Sequence, residues 1–300
     1  KDSSAIEDIV TTQDDLFKGD AVSGQFPTAA TKEVHRYAAA LKIGLERVRK
    51  QKFLRLADVL EIQAALEQNL AGLRKLTGTV LKNQQTGKVV YEPPQHPEEI
   101  KRLMASFLEH FHQGEADDAD LLVRMAVLHY QFESIHPFYD GNGRTGRILN
   151  LLYLVLHGLL DLPVLTLSRY IMRHKADYYS GLQAVREKEA LEAWVLYMLR
   201  AVEETSRETL AKVHGIRALM QETKQRLRSE LPKIYSQDLL NNLFRHPYTR
   251  IEYIERDLGV SRPTATKYLT ALATKGVLRK IKSGRTNFYV NESLFKLLSE

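Results

Sequence analysis

The 300-residue chain contains no cysteine, which excludes disulfide bonds and metal sites built on thiolates. It also lacks an apolar run long enough to cross a membrane, because polar residues such as Asn150 and Asp161 interrupt the longest candidate, residues 148–162. The first residues include no apolar segment of the kind that directs secretion, although Lys1 is not an initiator methionine and leaves open a segment upstream. These absences predict a cytoplasmic protein with no membrane partner.

Positive charge is concentrated near the C-terminus. The chain has a net charge of +6, and residues 236–300 carry 11 Lys and Arg against 6 Asp and Glu, an excess of +5. A local basic excess indicates a nucleic acid or an acidic protein as the partner of that part of the chain. A solvated basic surface without a partner is the simpler interpretation, and both stay open.

The spacing of apolar residues is mostly helical. One amphipathic stripe runs through Tyr37 and Leu41, and further stripes precede and follow residues 136–147. The helix after residues 136–147 is expected to stop at Gly158, residues 168–188 to form one or two shorter helices, and residues 191–231 to form a long one. One stretch differs, because residues 77–94 contain two short β-prone runs around Gly87 and end in two prolines, which predicts a hairpin. The pattern therefore predicts an all-α fold with one small β-hairpin beside a helical bundle.

Residues 136–147, which we call the signature loop, have the most informative composition. They read His-Pro-Phe-Tyr-Asp-Gly-Asn-Gly-Arg-Thr-Gly-Arg and lead directly into an apolar helix pattern. A glycine-rich loop that opens a helix is an anion site, because free backbone N–H groups and the positive helix end converge there. The arginines suit phosphate oxygens, Asp140 offers a hard oxygen to Mg²⁺, and His136 can accept a proton near neutral pH. The loop thus predicts a cation-lined pocket for phosphoryl or nucleotidyl chemistry, with a plain glycine turn as the alternative.

The signature loop matches the Fic-family motif, His-Pro-Phe-x-Asp/Glu-Gly-Asn-Gly/Lys-Arg, at each defined position from His136 to Arg144, and it continues into a second arginine, Arg147. The chain thus resembles a Fic protein. The resemblance implies transfer of AMP from ATP to a Tyr, Ser or Thr hydroxyl of a protein, including the chain itself, with Mg²⁺ as cofactor. It also implies that residues 77–94 form the flap, which orders the target segment by β-strand addition.

The resemblance implies a role for each polar position of the loop. His136 is the expected base that takes the proton of the target hydroxyl, and Asp140 is the expected Mg²⁺ ligand. The expected nucleotide-binding residues are Gly141, Asn142, Gly143, Arg144, Thr145, Gly146 and Arg147. Tyr178, with its neighbour Tyr179, is a further candidate for the adenine pocket, and core packing is the alternative for both.

The first residues resemble the inhibitory motif of the family, Ser/Thr-x-x-x-Glu-Gly/Asn. Ser3 and Glu7 occupy its defined positions, whereas Asp8 departs from the last one. The resemblance implies that Glu7 pairs with Arg147 and blocks productive seating of the γ-phosphate. Two unit charges about 4 Å apart at an effective dielectric constant near 20 interact by on the order of 4 kcal/mol before desolvation, enough to compete with a phosphate. An ordinary helix-capping segment is the alternative.

The C-terminal residues resemble a winged helix-turn-helix module. An amphipathic helix pattern from Ile251 ends at Gly259, a second helix pattern follows Ser261, and residues 276–290 alternate as a hairpin does. The second helix is the one expected to read a DNA major groove. The expected phosphate contacts are Arg262, Lys267, Lys282 and Arg285. Acidic residues around the first helix weaken the case for DNA, and a protein-docking or homodimer module is the alternative.

These patterns predict a chain of four parts. They are an N-terminal helical region with the inhibitory segment at 1–75, a catalytic core that includes the flap at 76–205, a helical linker at 206–235 and the winged helix-turn-helix domain at 236–300. The predicted function is protein adenylylation restrained in cis. Removal of AMP and transfer of another phosphate-containing group stay open within the enzyme class. The alternative from another class is a nucleotide-sensing, DNA-binding regulator, against which His136 argues because binding alone needs no base.

Overall fold

The computed structural model describes residues 1–7, 11–12, 15–16, 28–83, 86–113, 119–283 and 286–299. The chain divides into two compact units, Lys1–Val10 with Lys32–Arg207 and Thr11–Thr31 with Glu208–Glu300. None of the described helices is long and apolar enough to cross a membrane. Asp8, where the chain departs from the inhibitory motif, lies outside the described residues.

The first unit is mainly helical, and among its described residues the flap contributes one small β-hairpin. The helices are α1 (Asp2–Ile6), α2 (Ala29–Gln51), α3 (Leu56–Glu67), α4 (Pro97–His112), α5 (Leu121–Ile135), α6 (Asn142–Leu156), α7 (Leu167–Arg173), α8 (Lys175–Lys188) and α9 (Leu191–Glu230). Both α2 and α9 cross a boundary between the units. In the hairpin, β1 (Leu81–Lys82) pairs antiparallel with β2 (Val89–Tyr91).

The first part of the signature loop lies between α5 and α6, and its later residues form the start of α6. The side chain of Asp120 caps α5, because its Oδ1 accepts hydrogen bonds from the N–H groups of Leu122 (2.8 Å) and Val123 (3.3 Å). At the other end, α5 stops at His136, whose backbone is left-handed with a φ of 48°. Gly141 precedes α6 with a φ of 76°, a conformation that favours glycine. The loop between the two helices is therefore short and anchored at both ends.

Aromatic side chains attach the signature loop to the core of the first unit. The ring centroids of Phe107 and Phe132 are 5.5 Å apart, and those of Phe132 and Phe138 are 6.3 Å apart, with tilted planes. Such pairs add to the stabilisation that burial alone provides. Phe138 is fully buried, so the second residue after His136 ties the loop to the same core as α4 and α5.

The second unit contains a three-stranded antiparallel sheet and further helices. They are α10 (Gln237–Arg245), β3 (Tyr248–Thr249), α11 (Ile251–Leu258), α12 (Arg262–Thr274), β4 (Arg279–Ser283), β5 (Thr286–Val290) and α13 (Glu292–Ser299). The strand order is β3-β5-β4. Leucines of α10 and α12 pack with Ile254 of α11 in one apolar core. Helix, turn, helix and hairpin thus occur in the order that the sequence predicts.

The predicted all-α class with a small hairpin is confirmed. The helix after the signature loop begins at Asn142 and ends at Leu156, close to the predicted stop at Gly158, whose φ is 73°. The predicted helical stretch up to Lys188 consists of two helices, α7 and α8, and α9 runs without interruption to Glu230.

Candidate active site

One side chain, that of Asn142, shapes the signature loop. Its Oδ1 accepts a hydrogen bond from the N–H of Phe138 (2.9 Å), and its Nδ2 donates to the carbonyl oxygen of the same residue (2.8 Å). Both ends of this buried amide are thus used inside the loop. The first turn of α6 leaves its leading backbone N–H groups without helical acceptors, so these groups provide the anion site.

Arg74 supports the signature loop through hydrogen bonds to backbone carbonyl oxygens. This fully buried side chain donates from Nε to the carbonyl oxygen of His136 (2.7 Å) and from Nη2 to the carbonyl oxygens of Ile135 (3.3 Å) and Pro94. Its backbone N–H donates to the carbonyl oxygen of Pro137 (2.9 Å). Arg74 therefore connects the end of the flap to the backbone of the predicted base. No sequence motif marks it.

We expect Arg74→Met to lower the free energy of unfolding by about 2–5 kcal/mol, because each buried carbonyl that loses its donor costs about 1–3 kcal/mol. Urea unfolding followed by circular dichroism measures this change. Arg102→Met is the matched control, since Arg102 is an exposed arginine of α4, and its effect should stay within about 0.5 kcal/mol. Equal stabilities of the two variants would contradict the supporting role of Arg74.

The imidazole of His136 is available as a base. Its Nδ1 is buried and has no hydrogen-bond partner within the described part of the chain. Burial lowers the pKa of His136 to about 4, and the positive charges of Arg74 and Arg186 act in the same direction. The ring is therefore neutral near pH 7 and has a free lone pair.

A cation–π contact joins the flap to the region around His136. The guanidinium carbon of Arg186 lies 3.8 Å from the ring centroid of Tyr91, which ends β2. The Tyr91 hydroxyl donates a hydrogen bond to the carbonyl oxygen of Ser134 (3.0 Å). The flap is thus attached to the last turn of α5, two residues before His136. Neither Arg186 nor Tyr91 stands out in the sequence alone.

Arg147 is bonded to the N-terminal segment. Its Nε donates to Ser3 Oγ (2.8 Å), and its Nη2 donates to the Ser3 carbonyl oxygen (2.9 Å) and to Glu7 Oε1 (2.8 Å). Only 3% of Arg147 is exposed. Ser3 and Glu7, at the two defined positions of the inhibitory motif, therefore both contact the second arginine of the signature loop.

Three carboxylates from three different segments surround Arg144. Its Nε lies 2.6 Å from Glu7 Oε2, its Nη1 lies 2.9 Å from Glu33 Oε2, and its Nη2 lies 2.8 Å from Glu67 Oε1. Arg144 is 4% exposed, and of its three partners Glu67 is the least exposed, at 11%. The pocket is therefore lined by carboxylates as well as cations, and the sequence analysis missed Glu33 and Glu67. A buried arginine needs acidic partners, but nothing in the local sequence says which ones.

Two glycines allow these carboxylates to approach the loop closely. A Cβ at Gly143 would lie 2.8 Å from Arg147 Nη1 and 2.9 Å from Glu7 Oε1, and a Cβ at Gly141 would collide with the carboxylate of Glu67. Burial raises the pKa of Glu67, although the charge of Arg144 opposes this shift. Glycine at positions 141 and 143 thus leaves room for acidic side chains at the place where an anion would bind.

Asp140 differs from the other acidic residues because its side chain is 76% exposed. Its Oδ1 accepts a hydrogen bond from the Gly141 N–H (2.7 Å) and lies 4.0 Å from Arg144 Nη2. Within the described ranges, no three His, Cys, Asp or Glu side chains come together as a metal site. A single accessible carboxylate suits Mg²⁺ in particular, since this ion commonly takes its other oxygens from phosphates and water.

The later part of the signature loop faces the core. Thr145 is fully buried, and a Cβ at Gly146 would lie 2.8 Å from Glu133 Oε1. Burial raises the pKa of Glu133 to about 7, with the charge of Arg147 opposing the shift. Thr145 and Gly146, two predicted nucleotide-binding residues, therefore turn away from the open side of the loop. The buried acid beside them was not expected from the sequence.

The sequence matches three domain families in succession. Residues 1–46 match the Fic/DOC family N-terminal domain, residues 53–154 match the Fic/DOC family, and residues 219–294 match the C-terminal domain described as protein adenylyltransferase SoFic-like. The second match contains the complete signature loop. This chain belongs to the Fic family.

Curated relatives resemble part of this Fic chain. The protein adenylyltransferase Fic of Aedes aegypti is 31% identical over 150 residues, which cover 50% of the chain and 28% of that protein. A probable protein adenylyltransferase of Aquifex aeolicus is 28% identical over 163 residues, which cover 54% of the chain and 46% of that protein. The matches thus span less than half the length of these relatives.

Solved structures share the Fic fold. A Fic family protein from Desulfovibrio desulfuricans G20 superimposes with a TM-score of 0.58 at 22% identity, over 96% of this chain and 84% of that one. Fic-1 from C. elegans superimposes with a TM-score of 0.54 at 20% identity, over 71% of this chain and 61% of that one. At these identities the likeness shows the fold.

Tyr178 is part of the core of the Fic unit. Only 2% of it is exposed, and its hydroxyl lies 2.9 Å from His129 Nε2. Its ring contacts those of Trp194 and Tyr179. It offers almost no surface to an adenine ring, so we leave Tyr178 out of the proposed nucleotide site. Its neighbour Tyr179 is 50% exposed.

Some of the predicted DNA-phosphate contacts of the C-terminal unit are occupied by carboxylates. The Nη1 of Arg262 lies 3.3 Å from Glu252 Oε1 and 3.4 Å from Glu255 Oε2. Lys282 is exposed, and Arg285 lies outside the described residues. The positive charge of Arg262 is therefore partly neutralised at the start of α12, where phosphate contact was expected.

Proposed function

We propose that this Fic chain is a protein adenylyltransferase, which moves AMP from ATP to a hydroxyl side chain of a protein and is restrained by α1. The observation that carries the proposal is the neutral imidazole of His136, whose Nδ1 has no hydrogen-bond partner among the described residues, a few residues ahead of the first turn of α6. A hydroxyl is a poor nucleophile at its free pKa and needs a positioned base. Relatives that bear the name protein adenylyltransferase support the same reaction.

The triphosphate is assigned to the backbone and the arginines of the signature loop. The N–H groups at the start of α6 receive phosphate oxygens and stabilise the charge that develops on them. Arg144 binds the β- and γ-phosphates, and Arg147 binds the γ-phosphate, through charge-assisted hydrogen bonds. Asn142 keeps these groups in place through its two bonds to Phe138.

Asp140 is the residue assigned to Mg²⁺. Its exposed carboxylate next to the anion site fits an ion that binds phosphate oxygens at the same time. When bound, the ion supplies positive charge that neutralises the phosphates during transfer.

The transfer step uses His136 as the base. It takes the proton of the target hydroxyl as that oxygen bonds to the α-phosphorus of ATP. The bond from the α-phosphorus to the bridging oxygen breaks, and pyrophosphate leaves with the electron pair. The target keeps the AMP group as a phosphodiester.

Restraint by α1 is argued from the bonds of Arg147. Its hydrogen bonds to Ser3 and Glu7 use the donors that a γ-phosphate needs. Because Arg147 is buried and Glu7 is partly buried, a phosphate has to displace the Glu7 carboxylate to reach this guanidinium. Departure of α1 frees Arg147 for the nucleotide.

The target segment is assigned to the flap. Two exposed apolar side chains, Val89 and Val90, mark β2, and a two-stranded hairpin has open edges for strand addition. Modification of the chain itself is included in the proposal. DNA contact and a homodimer through the C-terminal unit remain predictions.

Labelled ATP tests the transferred group. The Glu7→Gly chain is incubated with Mg²⁺ and ATP labelled at the α- or the γ-phosphate, and label bound to protein is counted. The proposal expects retention of the α-label and loss of the γ-label. Retention of the γ-label would indicate phosphate transfer, and no bound label with normal ATP binding would favour the nucleotide-sensing regulator.

A further inference from the structure

The charge balance around Arg144 is negative. Glu7, Glu33 and Glu67 each occupy one of its three nitrogens, and Asp140 Oδ1 lies 4.0 Å from Nη2. These four carboxylates face three positive charges, those of Arg144, Arg147 and Arg36, the last of which pairs with Glu33. A triphosphate that enters the loop therefore meets resident anions, and their charge opposes its binding.

Glu67 lies close to the backbone of the anion site. It is the last residue of α3, and its side chain is 11% exposed. A Cβ at Gly141 would collide with its carboxylate, so Glu67 rests against the residue that opens α6. This is where the N–H groups of the helix start attract negative charge. The Glu67 carboxylate thus lies where the N–H groups of the helix start would attract a phosphate.

We propose that Glu67 is a resident anion of the phosphate site, which competes with the nucleotide and sets its affinity independently of Glu7. The proposal takes ATP as the ligand from the proposed function.

The two glutamates differ in how they are held. Glu7 directly follows the five-residue helix α1 at the start of the chain. Glu67 ends the twelve-residue α3, whose Ile62 and Leu66 are fully buried in the core. The same helix contacts the loop through Gln63, whose Nε2 donates to the Asp140 carbonyl oxygen (3.3 Å). Removal of α1 therefore leaves Glu67 in place, and nucleotide affinity stays below the value that free arginines would give.

Nucleotide binding tests this inference without any transfer step. The dissociation constants of ATP with Mg²⁺ and of inorganic triphosphate are measured by calorimetry on the full chain. Glu67→Gln keeps an oxygen for Arg144 Nη2 but removes the charge. We expect Glu67→Gln to lower the dissociation constant by about tenfold in the unaltered chain. It should lower the constant by a similar factor when it is added to Glu7→Gly. Glu61→Gln is the matched control, since Glu61 lies on α3 and pairs at the surface with Arg47 (2.8 Å).

Each outcome decides the inference. Unchanged or weaker binding in Glu67→Gln would overturn it and leave Glu67 as a support for Arg144, whereas tighter binding in Glu7→Gly would still support restraint by α1. An equal gain in Glu61→Gln would also overturn it, because the effect would then be that of overall charge. Tighter binding of triphosphate without any binding of ATP would uphold the resident anion and contradict the proposed function. Failure of every variant to bind either probe would contradict both.

Discussion

AMP incorporation should fall by about a hundred- to ten-thousandfold when His136 is replaced, because general-base catalysis contributes about 10²–10⁴-fold and its loss leaves the hydroxyl protonated. The preferred variant is His136→Asn. His136 has a φ of 48°, and asparagine tolerates left-handed backbone better than alanine does. The loop should therefore keep its shape while the base is lost. Bound AMP is measured in the Glu7→Gly background, where the signal is expected to be highest.

The control for this variant is His96→Asn, an exposed histidine that precedes α4 and forms no side-chain cap. It should incorporate AMP at the unaltered rate. His136→Asn should still bind ATP with an unchanged dissociation constant, since the ring is assigned to the proton and not to the phosphates. Incorporation in His136→Asn within a few-fold of the unaltered chain would remove His136 from the reaction.

Glu7→Gly should raise AMP incorporation by about ten- to a hundredfold, since it removes a partly buried carboxylate that competes with phosphate for two buried arginines. The change deletes the contacts of Glu7 with Arg147 Nη2 (2.8 Å) and Arg144 Nε (2.6 Å). The hydrogen bonds that Arg147 donates to Ser3 remain in this variant. Ser3→Ala, which removes one neutral hydrogen bond, should give a smaller rise. Initial rates at subsaturating ATP measure both variants.

Glu189→Gly provides the matched control for this change. Glu189 caps the C-terminal end of α8, as Glu7 caps that of α1, and it is exposed. The same substitution there removes a glutamate without touching the signature loop, so incorporation should not change. If Glu7→Gly and Glu189→Gly incorporate AMP equally, α1 does not restrain the enzyme.

The signature loop was predictable because its parts are contiguous. His136 and Gly141 are close in sequence and lie between two apolar helix patterns, so the sequence alone places them near each other. In the structure both have a left-handed backbone between α5 and α6. The contacts of Ser3 and Glu7 join residues more than 130 positions apart, and family resemblance was the means of anticipating them. Helix ends were close to prediction where a left-handed residue such as Gly158 marks them.

The rest of the site depends on contacts that a single sequence does not show. Arg74 is separated from His136 by 62 residues, and Glu33 from Arg144 by 111 residues. A lone glutamate on a helix has the composition of a solvated face, and Arg74, which lies outside any helix, has no local pattern that marks it as buried. For the same reason, the sequence predicted a pocket of cations, whereas burial of Arg144 requires the carboxylates that now surround it. Tyr178 could not be assigned to core or ligand until its burial was known.

Intact mass after incubation with ATP and Mg²⁺ tests the central claim most directly. Three proteins are compared: the unaltered chain, Glu7→Gly, and Glu7→Gly combined with His136→Asn, each with and without ATP. The account predicts an added AMP on a large fraction of Glu7→Gly, on little of the unaltered chain and on none of the double variant. An AMP adduct that forms equally on all three would contradict both the role of His136 as base and the restraint by α1. The absence of an adduct from Glu7→Gly and from any protein added as a target would contradict the transfer itself.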